Sequence, residues 1–157
     1  MHTLLITVHV LSAITALVAG MCAYLFPNGT KAHRRAGRGY LWAWGIFAPS
    51  GLWLGAARTE ISAFEMLTLL GLCAVLIGVI ALRRKRALGP VWRHHHLRWM
   101  IISYAFVVVA TLNQLLNQLD VPRPPWLFWL LVFAPFLILP PLIRRVRARY
   151  PVSEQNA

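Results

Sequence analysis

Apolar residues fall into five long blocks, separated by short polar or basic segments. The blocks cover about residues 3–26, 40–57, 63–82, 97–118 and 126–143. A helix rises about 1.5 Å per residue, so roughly 20 apolar residues cross a hydrocarbon core of about 30 Å. Each block therefore predicts a membrane-spanning helix, the second near the short limit. Breakers stand where the chain must turn. Pro27-Asn28-Gly29 ends the first block, and Leu88-Gly89-Pro90 stops the third from running into the fourth. Asp120-Val121-Pro122-Arg123-Pro124-Pro125 makes a stiff turn before the fifth. The segment Lys31–Gly39 predicts a loop. Tyr40, Trp42 and Trp44 then open the second block and suit a belt of aromatic rings at headgroup level. Pro49 inside that block removes a backbone donor and predicts a kink.

Composition agrees with a membrane setting. The 157 residues are 59% hydrophobic, and sixteen Lys and Arg face only four acids, a balance foreign to most soluble domains. So large a basic excess raises nucleic acid as a partner. The charges, however, sit in short clusters between apolar blocks, as helix-flanking charges do, and no nucleic-acid partner is expected. With five spans, segments 27–39, 83–98 and 144–157 share one side. Fourteen of the sixteen basic side chains fall there, and only Arg58 and Arg123 fall on the other. The positive-inside rule then places the N-terminus outside and the C-terminus in the cytoplasm. The expected fold is an all-α polytopic bundle of five transmembrane helices. It forms one domain over 1–143, with a basic, then polar, cytoplasmic tail over 144–157 that frays. The first block has no basic flank before it and reads as a retained helix rather than a cleaved signal. Cys22 and Cys73 lie inside apolar blocks without ligand spacing, and read as packing residues rather than a disulfide or zinc site.

Two basic mouths echo each other. His33-Arg34-Arg35-Ala36-Gly37-Arg38-Gly39-Tyr40 leads into the second block, and His94-His95-His96-Leu97-Arg98-Trp99-Met100-Ile101-Ile102-Ser103-Tyr104 opens the fourth. His33 and His96 stand 63 residues apart, and the spans begin at a similar interval. One explanation is an internal repeat, two helical hairpins followed by one helix. The other is shared loop chemistry, since any cytoplasmic turn favours arginine and an aromatic at the helix mouth.

An ionisable side chain inside a span marks a candidate site. His9 lies about six residues into the first block, roughly 9 Å below its outer end. Ser12, Ala16 and Gly20 continue nearly the same face, and small residues at that spacing let another helix approach closely. Asn113, Gln114, Asn117 and Gln118 spread over an arc of about 140° at the outer end of the fourth span. Ser50 sits at the expected kink, and Glu65 sits near the outer end of the third span. His9, Ser50, Glu65, Asn113 and Asn117 are thus the candidate ligand-binding set in the outer half. The plainer alternative leaves the amides and Glu65 in the headgroup zone.

On the cytoplasmic side, His33, Arg34, Arg38, Arg93, His96 and Arg98 form a candidate site for anionic lipid headgroups, with Trp92 and Trp99 at the interface. Adjacent histidines point in different directions on a helix, and no carboxylate or cysteine accompanies them. No metal centre is assigned on that basis. A b-type haem needs two ligands at one depth. His9 stands on the outer side and most other histidines on the inner, so haem remains a minor alternative built on His9 with His2 or Met66. The chain has no Gly-rich phosphate loop, HExxH, GxSxG or carboxylate pair, and no enzyme chemistry is assigned.

His9 in the opening helix, the His33–Tyr40 segment, and His96-Leu97-Arg98-Trp99-Met100-Ile101 with Tyr104 together resemble a family of predicted bacterial membrane proteins, the domain-of-unknown-function family 2306. In that family the loop reads like H-R-x-x-G-R-x-Y and the later mouth like H-R-R-W-M-I-R. The likeness covers roughly residues 5–118. Leu97 and Ile102 stand where the family tends to carry a basic residue. Asn113 and Gln114 stand where it tends to carry an arginine, which puts an anion site there in doubt. The resemblance implies a multi-pass membrane protein and no particular activity.

The expectation from the chain is an integral, multi-pass protein of the bacterial cytoplasmic (inner) membrane. It contacts membrane lipids and binds a small ligand, lipid or cofactor, of unspecified kind, within the bundle. Three alternatives compete: a haem- or quinone-linked redox protein using His9; a small proton-coupled transporter using His9 and Glu65; and an assembly or interaction subunit, or homo-oligomer, using the Ser12-Ala16-Gly20 face.

Overall fold

The computed structural model describes residues 2–56, 62–119 and 124–149. Among these the chain is helical, without strands: α1 (His2–Leu25), α2 (Lys31–Gly55), α3 (Ala63–Arg83), α4 (Trp92–Gln118) and α5 (Pro125–Arg149). A 3-10 turn, Gly89–Val91, leads into α4. The all-α expectation holds, but several boundaries move. Lys31–Gly39 is not a loop; it is the start of α2. Thr30 has an extended backbone and its hydroxyl accepts from the His33 N–H at 3.2 Å. That cap satisfies one of the orphan donors of the first turn, and the following Lys, Ala and Arg residues favour helix. Likewise α4 runs from Trp92 and α5 through Arg149, past the apolar blocks at 97–118 and 126–143. The basic mouths are therefore helical faces with a fixed direction. α2 runs through Pro49 as one helix. The expected links at 57–61 and 120–123, and the tail beyond 149, lie outside the described residues.

Helices α1 and α2 pack along each other, as do α3 and α4. Smaller contacts of α2 with α3 and of α1 with α4 close a ring of four, with α2 and α4 on a diagonal. α5 lies outside the ring against α4, and its Phe128 meets Phe64 of α3 at 6.0 Å between ring centres. Both hairpin turns use a glycine in the left-handed region, Gly29 at φ 81° and Gly89 at φ 55°, where a side chain would be strained.

The small stripe of α1, Ser12, Ala16 and Gly20, is buried as its spacing predicts. Ala16 packs into a core with Tyr40, Ala43, Trp44, Phe47 and Val107. Here the aromatic-belt expectation is corrected. Trp42 is 75% exposed, but Tyr40 and Trp44 are 2% and 1% exposed. With α2 starting at Lys31, all three stand well inside the helix. Residues four apart share its inward face, and the residue between them points away. Outside, the helices present apolar side chains such as Val10, Leu11, Ile14, Val18, Leu70 and Leu76. Three helical segments, His2–Leu25, Ala63–Arg83 and Gly89–Gln118, are long and apolar enough to cross a membrane, which explains so much uncovered apolar surface.

The two hairpins repeat each other in their contacts. The Ser103 hydroxyl donates to Met100 O at 2.8 Å and so accepts from the Tyr40 hydroxyl, also at 2.8 Å; the pair is 63 residues apart. His33 and His96 share that interval, and each places Nδ1 2.9 Å from a carbonyl of the preceding helix, Ala23 O and Gly78 O respectively. Ser50 and Asn113 share it too, and both are buried near the other end of the bundle. Shared loop chemistry accounts for the mouths but not for Ser50 and Asn113. These contacts at one interval fit a parallel repeat whose axis would pass where Tyr40 meets Ser103.

Candidate functional site

Of the residues anticipated as a ligand-binding set, His9 and Ser50 meet directly. Ser50 sits within hydrogen-bond reach of Ile46 O at 2.7 Å and Phe47 O at 3.0 Å, so its single proton is committed to the backbone beside Pro49. His9 Nδ1, 3.1 Å from Ser50 Oγ, must therefore carry the proton and donate. The His9 ring stacks on Phe47, with centres 4.8 Å apart and planes at 21°. Gly51 makes room, since a Cβ there would stand 2.8 Å from His9 Cε1. This arrangement locks α1 to α2. A double-mutant cycle with His9→Phe and Ser50→Ala should give a coupling of about 0.6 kcal/mol and at most about 1.7, the range of interhelical hydrogen bonds in membranes. Unfolding titrations in detergent read it, and zero coupling would remove the bond.

Glu65 does something else. Its carboxylate accepts from the Ser62 backbone N–H and caps α3. It also fills the space beside Gly55, one helical turn along α2 from Gly51. Asn113 is fully buried and its Nδ2 donates to Val109 O at 3.1 Å, while Asn117 is exposed one turn further on. The structure thus joins His9 to Ser50 and places Glu65 a turn away in a capping role.

At the end of the bundle where α2 and α4 begin, arginines and histidines separate. Arg34, Arg35, Arg38, Arg93 and Arg98 are exposed. Arg93 lies 5.7 Å from the Trp92 ring centre and Arg98 lies 6.0 Å from that of Trp99. His33 and His96 are half-buried. Each donates its Nδ1–H to a backbone carbonyl, which leaves Nε2 with a free lone pair. Their direction follows from the helix. His33 precedes Tyr40, and His96 precedes Ser103, by nearly two turns, so each histidine shares the face that meets the axis. The Trp92 ring lies 6.4 Å from that of His96. Among the described residues, no group of three or more His, Cys, Asp and Glu converges.

The sequence of a family described as predicted membrane protein (DUF2306) matches residues 6–144. The chain belongs to that family. The match takes in both hairpins and most of α5, further than the motifs over about residues 5–118. It includes His9, His33 and His96. No curated protein and no solved structure matches the chain.

Among the described residues of this DUF2306 chain are two spaces. Between Trp44, Phe47, Leu67, Thr68, Phe106 and Ala110 the interior encloses only about 160 Å³, with no room for a water molecule. The mid-bundle is packed. A groove of about 590 Å³ runs along the outside of the α1–α2 hairpin, lined by Ile14, Val18, Cys22, Phe26 and Ala36, with Arg35 in its wall. Residue patterns missed the central contacts, Tyr40 with Ser103 and Trp44 with Phe47. The signal was present as the common interval linking Tyr40 to Ser103 and His33 to His96.

Proposed function

We propose that this family member is a five-span protein of the bacterial cytoplasmic membrane, N-terminus outside, whose two hairpins hold a small ligand or cofactor between them at the cytoplasmic mouth. The observation that carries this is the symmetric pair His33 and His96, each fixed by a backbone carbonyl and set on the axis-facing side of its helix. A histidine tautomer fixed in this way is a common support for a ligating imidazole. The basic rim around the pair favours an anionic group. The five-span topology rests on the three apolar helices, the odd number of helices and the clustering of basic residues on one side.

Two measurements test it. Native mass spectrometry of the full chain in mild detergent should show one non-protein component per chain, lost from the His33→Ala/His96→Ala variant; a clean apoprotein mass at the lowest activation energy would sink the proposal. For topology, a single cysteine at Asn28 in a Cys22→Ala/Cys73→Ala background should react with an impermeant maleimide only after the cells are opened. Labelling in intact cells would invert the orientation.

A second reading rests on the groove beside Arg35. Its apolar wall and one guanidinium suit the acyl chain and phosphate of an anionic inner-leaflet phospholipid. Arg35→Ala should lower co-purified anionic phospholipid several-fold, and equal retention would remove this reading.

A further inference from the structure

We infer that His33 and His96 are the two axial ligands of a b-type haem held between the hairpins, with the arginines of the mouth around its propionates. This deepens the cofactor reading above and rests on it. Four observations support the haem. First, His33 and His96 stand on the stripes of α2 and α4 that carry Tyr40 and Ser103, which meet across the diagonal of a four-helix ring. Cofactor sites in bundles are built from side chains on facing helices in this way. Second, each Nδ1–H is anchored on a carbonyl at 2.9 Å, which sets ring orientation and raises ligand basicity.

Third, the number of ligands selects the kind of metal. A bare zinc or copper ion takes three or four protein ligands, and the described residues offer no cluster of three. Haem iron brings four nitrogens of its own and needs only two axial imidazoles. Fourth, the histidine stripe of α2 is open at Gly37, one turn from His33. Gly20, Gly51, Gly71 and Gly78 each face a side chain that would collide with a Cβ. Gly37 lies between His33 and Tyr40 on the same stripe, yet no atom stands within 4 Å of its Cβ position. The Tyr40–Ser103 hydrogen bond joins the two stripes about two turns further on. Arg34, Arg38, Arg93 and Arg98, exposed around the mouth, supply cations for two carboxylates.

The test is optical. The full chain, expressed with a haem precursor and purified in mild detergent, should contain about one haem b per chain and show a low-spin bis-imidazole spectrum. Hemin titration of apoprotein should reach the same spectrum. His33→Gly and His96→Gly should each weaken hemin binding at least tenfold, and added imidazole should restore the low-spin spectrum. His33→Met keeps a ligand while changing its chemistry, and should shift the spectrum to a His/Met type; circular dichroism checks that each variant remains helical. Absence of a Soret band both as purified and on hemin titration overturns the haem. If a different small molecule is then found by mass, the cofactor reading survives without it; if nothing is bound, both fall. A haem whose spectrum is unchanged in both glycine variants overturns the axial pair.

Discussion

Trp44→Ala should destabilise the bundle by on the order of 3 kcal/mol, the largest loss expected from any single truncation. Trp44 is 1% exposed and lies in the core cluster with Ala16 of α1, Val75 of α3 and Val107 of α4. Its ring meets Phe47 edge-on at 5.4 Å and Tyr40 at 6.4 Å. Gly71 of α3 lies so close that a Cβ there would stand 2.4 Å from Trp44 Cη2. In a water-soluble protein, Phe or Trp to Ala costs about 3–5 kcal/mol, part of it transfer of apolar surface out of water. In lipid that transfer term largely disappears, because the unfolded helices stay in an apolar solvent. What remains is lost dispersion around an unfilled cavity, which sets the estimate at the low end. Denaturant titration in mixed micelles measures it. A loss under about 1 kcal/mol would mean that Trp44 does not fill the centre. Trp44→Phe, which keeps most of the ring contacts, should cost markedly less.

Gly20→Val should be nearly as damaging by the opposite route, at about 2 kcal/mol within the usual overpacking range. A Cβ on Gly20 would stand 2.5 Å from Tyr104 Cδ2 and 3.1 Å from Tyr40 Cε2. Tyr40 cannot yield easily, since it is buried and bonded to Ser103 across the axis. Tyr104 can move only by lengthening its 3.3 Å bond to Leu17 O. The added volume must therefore push α1 away from α2 and α4. Gly45→Ala is the control, because no atom lies within 4 Å of its Cβ position. A helix-interior Gly costs about 0.5–1 kcal/mol relative to Ala, so that change should be neutral or stabilising. If Gly20→Val and Gly45→Ala behaved alike, the close approach of α1 would be disproved.

These two predictions also show where residue patterns are informative. The Ser12-Ala16-Gly20 stripe was legible because it needs only helical periodicity and residue size. The destination of Tyr40 and Trp44 was not. Their place next to a basic segment suits a headgroup belt, and only the cap at Thr30, which starts the helix early, carries them inside. The His9 set was legible in part. His9 and Ser50 were anticipated and do meet. Glu65 shares their general depth, but its reach to the Ser62 N–H turns it into a helix cap, and capping depends on where α3 begins.

Chain pattern by itself determined the helices, their approximate number, the membrane setting and the family, because apolar length and basic clustering respond to lipid and water regardless of neighbours. Tertiary structure decided which faces meet. Helix rotation about its own axis leaves hydropathy unchanged, so no pattern of apolar residues could say that His33 and His96 stand on the side of the axis rather than among the headgroups. The Tyr40–Ser103 bond sets that rotation for α2 and α4 together. Two turns along the same stripes, it places the two imidazoles at one depth.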